Sequence, residues 1–177
     1  MAKQYTVDIL SVKSIERLKK ELIKYRDSLK AKSKLLVEKL VEVGLDVIDV
    51  KLSESPLGHH VTVQVHNEGD AMVIVAEGEI KTSDDYPPFN TLLAIEFGAG
   101  IRYNPTENPK ADDLGYGVGT FPGQTHAFQE EGWYFLDKET GKWIHSFGVK
   151  ATMPMYEATV EMREQVEKIA KEVFDNA

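Results

Sequence analysis

Five histidines are the first residues in this chain whose type could carry chemistry: His59, His60, His66, His126 and His145. Histidine ligates metals and moves protons near neutral pH, but a metal site needs ligands at a fixed, clustered spacing. No His-Glu-x-x-His run or comparable pattern ties the five together. His60 and His66 share one face of an alternating segment with Thr62 and Gln64, opposite three valines, which reads as the wet side of a strand. His126 and His145, with Glu130 or Glu131 nearby, form the set that a small metal-dependent hydrolase or nuclease would use. That is the enzymatic alternative.

The remaining chemical motifs are weaker. Gly115-Tyr116-Gly117-Val118-Gly119 is glycine-rich, but a phosphate-cradling loop follows a strand and opens a helix, and neither neighbour is visible. Glu139-Thr140-Gly141-Lys142 lacks the first glycine of a P-loop, and there is no Gly-x-Ser-x-Gly elbow. The paired carboxylates Asp84-Asp85 and Asp112-Asp113 lie in proline-containing stretches and read as solvated turns. Trp133 and Trp143 could stack a sugar or a base, as in a carbohydrate-binding or toxin-like module; cross-strand aromatic packing is the more ordinary role. The expectation is no catalytic residue, no cofactor and no metal.

The elements that would position these residues follow from periodicity. From Ser14 to about Val43, apolar residues recur at steps of three and four (Ile15, Leu18, Leu22, Tyr25, Leu29, then Leu36, Leu40 and Val43). This is one long helix, about 45 Å at 1.5 Å per residue, with Ser14 as N-cap and Gly44 just past its end. Asp46 to Leu52 alternates weakly and suggests a strand. His60 to His66 alternates strictly, Asn67 to Asp70 has turn chemistry, and Ala71 to Ala76 reads as a strand buried on both faces, giving a hairpin. Thr91 to Phe97 is a short apolar segment, helix or strand, stopped by Gly98-Ala99-Gly100. Residues from about 101 to 129 have no period and read as a long glycine-rich loop, of a kind that is functional or gains order from a partner. An aromatic hairpin spans residues 132–147, with Gly141 in its turn. Pro154 opens a last helix with a stripe through Met155, Thr159, Met162, Val166, Ile169 and Val173.

The fold class expected is α+β: a mostly antiparallel sheet with the N-terminal and C-terminal helices packed on one face. One domain over residues 1–177 accounts for the length. The absence of cysteine excludes disulfides and thiol nucleophiles. No apolar run approaches a membrane span and the start has no signal-peptide pattern, so the expectation is a protein folded in a cytoplasm, without a membrane partner. The net charge of −8 is uneven. Residues 1–50 carry 11 Lys+Arg against 8 Asp+Glu, and residues 51–177 carry 10 against 21. An acidic body does not suit a nucleic-acid reader, though DNA could slide past it without sticking.

Two stretches carry a resemblance. Leu93-Ala94-Ile95-Glu96-Phe97-Gly98-Ala99-Gly100 resembles the aliphatic-Glu-Phe-Gly-Thr signature of siphophage tail-completion, or head–tail joining, proteins. Phe147 to Ala158, with Gly148, Ala151, Pro154, Met155 and Ala158, is similar to that family's Gly-x-x-Ala-x-Pro-Phe entry into its last helix. Ala99 replaces the usual Thr, Met155 stands where Phe is commoner, and the family's Asp-Thr-Gly stretch after the first helix is not recognisable. The resemblance implies a non-enzymatic virion protein at the head–tail junction. It implies a ring, commonly of six copies, between a head-side connector or stopper and the tail tube, with DNA passing through the lumen. On that basis Glu96, Phe97, Gly98, Gly100, Tyr116, Phe121, Met153 and Tyr156 are the expected assembly-interface residues.

Overall fold

In the computed structural model, the described residues are 5–82, 88–98, 108–111, 113, 132–137 and 140–175. The first helix, α1, spans Val12–Ser53, longer at both ends than its sequence pattern predicts. Its N-cap is Ser11, whose hydroxyl accepts the Ser14 N–H at 3.3 Å. Ser14, the expected cap, lies within the first turn, where its hydroxyl accepts the Asp8 N–H.

At the other end, α1 runs straight through Gly44 and absorbs Asp46 to Leu52, the expected strand. A glycine inside a helix costs about 1 kcal/mol against alanine, and packing overrides that cost here. Gly44 is a point of close approach: a Cβ on it would stand 2.8 Å from Met162 Sδ and 3.0 Å from Ile74 Cδ1. Val41, Gly44 and Ile48, spaced three and four apart, are the buried positions of the helix.

The last helix, α3, spans Pro154–Asp175 and runs antiparallel to α1. Met162 meets Gly44, Lys39 pairs with Glu172 at 3.9 Å, and Lys32 Nζ donates to the Phe174 carbonyl at the far end. Its buried positions are Pro154, Ala158, Ile169 and Val173. Val166, expected in the packed stripe, is 41% exposed, and Thr159 is exposed as well. The packed face passes through Met162 and Gln165, one position round the helix from Val166.

A short 3-10 turn, Gly58–His60, leads into β1 (Val61–Glu68), which pairs antiparallel with β2 (Ala71–Gly78) around a turn where Gly69 has φ 68°. Val61, Val63 and Val65 are half-buried while Thr62, Gln64 and His66 are exposed, as strict alternation predicts. The expectation that Ala71 to Ala76 is buried on both faces does not hold: Met72 to Ala76 are half-buried and none is enclosed. Two-residue strands β3 (Ile80–Lys81) and β4 (Phe89–Asn90) pair next and lead directly into α2, Thr91–Phe97. The aromatic hairpin pairs β5 (Trp133–Asp137) with β6 (Lys142–Ser146).

Among the described residues the strands form three two-stranded antiparallel ladders. With the long N-terminal helix and the C-terminal helix, this is the expected α+β class. Most of the stretch expected as a loop, about 101–129, lies outside the described residues.

Candidate functional site

The two stretches singled out by resemblance meet at one buried carboxylate. Asn90 caps α2 by accepting the Leu92 and Leu93 N–H groups at 2.9 and 3.3 Å. The helix is short and almost entirely enclosed: Thr91, Ala94, Ile95, Glu96 and Phe97 are all buried. Phe97 packs with Ala111 and Leu93.

Glu96, 6% exposed, faces the start of α3. That helix begins without a cap of its own, because Met153 in the capping position has no side-chain acceptor and Pro154 has no N–H. Glu96 supplies what is missing. Its Oε2 accepts the Met155 N–H and its Oε1 accepts the Tyr156 N–H, both at 3.0 Å. Asn108 Nδ2 donates to Oε1 at 2.8 Å from a third segment. A carboxylate at a helix N-terminus is also favoured by the helix dipole.

Backbone contacts complete the joint. The Ile95 carbonyl accepts the Thr152 N–H at 2.9 Å and the Met153 N–H at 3.4 Å. Met153 has φ 53°, the left-handed region that is uncommon for a non-glycine residue. Gly98 ends α2 at φ 76° and ψ 162°, a region essentially restricted to glycine. The Thr152 hydroxyl is buried without a hydrogen-bond partner among the described residues.

Burial pushes the Glu96 pKa up, against the Met155, Tyr156 and Asn108 hydrogen bonds that pull it down. With both oxygens engaged by donors, the carboxylate works as a structural clamp between α2, residue 108 and α3.

Of the expected interface residues, Glu96, Phe97, Gly98, Met153 and Tyr156 are thus brought together. Glu96, Phe97 and Gly98 are buried, so they hold the joint and offer little contact area. Gly100, Tyr116 and Phe121 lie outside the described residues, as do His126, Glu130 and Glu131. His145 is exposed and stacks on Tyr134, with ring centroids 4.4 Å apart, and meets the Phe147 edge at the same distance. In the ladder register Trp143 lies opposite Leu136 and Trp133 opposite Ser146, and Trp143 is 69% exposed.

Sequence reasoning missed two features. Asn108 gave no signal, because only the folded chain brings it to Glu96. The cap itself was legible in principle: a helix opened by Met-Pro needs an acceptor from elsewhere, and a lone Glu in an apolar segment is a donor-seeking candidate. A second cluster is exposed to solvent. Glu79 Oε2 lies 2.7 Å from His60 Nδ1 and 2.8 Å from Lys81 Nζ, and the Lys81 hydrogen bond holds the Glu79 carboxyl below its usual range.

Among the described residues no group of three or more His, Asp or Glu is placed to hold a metal, and no helix is long and apolar enough to cross a membrane. No protein-family profile, curated protein or solved structure matches the chain.

Proposed function

We propose that this chain is a non-enzymatic structural protein of a bacteriophage virion, a tail-completion or head–tail joining protein that assembles as a ring between the head-side connector or stopper and the tail tube. The observation that supports it most is the joint at Glu96. The two stretches that resemble the joining family converge there, Glu96 and Tyr156 standing 60 residues apart in the chain, and three of their residues have a structural reason: Glu96 as a remote helix cap, Gly98 for its backbone conformation, Pro154 as a first helical residue that needs no donor partner. The joint ties α2 and Asn108 to the start of α3. The acidic body suits a lumen past which DNA moves without specific binding. In this reading the protein folds in the host cytoplasm and ends in the virion.

Disruption of the gene in its phage genome tests the proposal. The expected outcome in infected-cell lysates, by electron microscopy, is DNA-filled heads and finished tails that do not join, restored by the wild-type gene but not by Gly98→Val. Normal numbers of joined, infectious particles without the gene would overturn the reading. Empty heads or absent tails would place the protein at a different assembly step. Neighbouring genes for a portal and a major tail protein would add independent support.

A further inference from the structure

Among the described residues, two surfaces of opposite charge stand outside the packed core. The first is the N-terminal half of α1. Its stripe continues, beyond the end of α3 at Lys32, the track that α3 covers farther along. Ile15, Leu22, Tyr25 and Leu29 are between 37% and 48% exposed, and every residue from 22 to 31 is exposed. Ile15, Leu18, Leu22 and Ile23 border a shallow hollow flanked by Lys19 and Arg26. Residues 12–31 hold seven Lys and Arg against three Asp and Glu.

The second surface is the outer face of the β1–β2 ladder. Val73 pairs with His66 and Val75 with Gln64, so these valines share the wet face of the ladder, opposite the face whose Ile74 reaches α1 and Met162. There Val73 and Val75 are half-buried beside the exposed Thr62, Gln64 and His66. Residues 61–78 hold Glu68, Asp70 and Glu77 and no Lys or Arg.

We propose that the basic N-terminal half of α1 docks on the acidic outer face of the β1–β2 ladder of a second copy of this chain. Charge decides between this and arm-to-arm pairing. Two arms would set a net positive helix against another, whereas arm and ladder are complementary. The apolar pattern agrees, since docking gives the exposed arm stripe a surface that includes the half-buried Val73 and Val75. The contact joins unlike patches, so it repeats from copy to copy and closes when the rotation allows. Ring closure rests on the assembly function proposed above; pairwise docking does not.

The chain has no cysteine, which makes a cross-linking test clean. Leu22→Cys and Gln64→Cys, both at exposed positions, are prepared as separate full-length chains, mixed, and treated with a short bis-maleimide. The expected main product is the mixed Leu22→Cys/Gln64→Cys dimer, identified by mass. In sedimentation velocity the cysteine-free chain is expected to self-associate, less so at high salt. Leu29→Asp should weaken association by at least about tenfold, because a charge buried at the contact costs more than the 1.4 kcal/mol that a factor of ten represents. Circular dichroism of Leu29→Asp should match the wild type, since the site lies outside the folded core.

A chain that stays monomeric at hundreds of micromolar in low salt overturns the proposal, as does a dominant arm-to-arm product or association indifferent to Leu29→Asp. Binding of the monomer to vesicles of anionic lipid in place of self-association would make the arm a membrane-surface helix and also overturn it. Failure of the phage role would be read separately, as normal particle joining without the gene while the mixed cross-link persists.

Discussion

The two halves of α1 have the same apolar period and opposite fates. From about Leu36 to Ile48 the stripe is covered, with Val41 at 8% and Ile48 at 2% exposure, and Gly44 lets α3 and β2 come close. From Val12 to Ala31 the same spacing of large apolar residues faces solvent. Periodicity reports that a helix has a face to bury, and it is silent on whether the cover comes from the same chain. The difference between the halves is therefore a difference in cover, and it separates residues that hold the fold from residues that face solvent.

The sharpest way to break this comparison is a pair of truncations along one helix. Ile48→Ala removes fully buried methyl groups and should cost about 2–5 kcal/mol in urea unfolding. Leu22→Ala, at 45% exposure, should stay within about 0.5 kcal/mol in the monomer. Equal costs would show that the arm is packed in solution and would remove the distinction.

Amide exchange extends the same contrast to the backbone. Amides of residues 38–50 should exchange only through openings close to global unfolding, while those of residues 14–30 exchange through cheaper local fraying. Equal protection along α1 in a verified monomer would contradict the structure.

The Glu96 joint belongs to the packed side of the comparison. Glu96→Ala strips acceptors from two α3 N–H groups and from Asn108, and should cost about 1–3 kcal/mol. Glu96→Gln keeps one acceptor oxygen and should cost less. Because burial raises the folded-state pKa of Glu96, the folded protein holds that proton more tightly than the unfolded chain. The stability this residue contributes is thus greatest below the usual value of 4.5 and falls as pH rises through the raised value. The stability of the wild type relative to Glu96→Gln should decline across that window. Glu79 has the opposite sign, its contribution being present above 4.5 and lost as pH falls through its lowered pKa. A wild-type advantage over Glu96→Gln that grows with pH would show that the hydrogen bonds outweigh burial.

The smallest expected effect is at the edge of the covered region. Lys39→Ala removes a pair with Glu172 whose side chains are 40% and 48% exposed, and should change stability by at most about 1 kcal/mol.

Local patterns carried much of this architecture. The alternation of residues 60–66 placed three valines inward and Thr62, Gln64 and His66 outward, the turn residues placed both hairpins, and Pro154 marked the start of α3. These are short-range consequences of backbone sterics and hydrogen bonding, readable within a few residues. Tertiary structure decided what local rules cannot weigh. It carried α1 through Gly44, where close packing against Met162 and Ile74 outweighs a poor helix former, and it turned Val166 outward in favour of the neighbouring face. It brought Asn108 and the α3 N-terminus to Glu96. It left half of one continuous stripe uncovered, because α3 ends at Lys32 and a helix buries only the part of its face that another surface reaches.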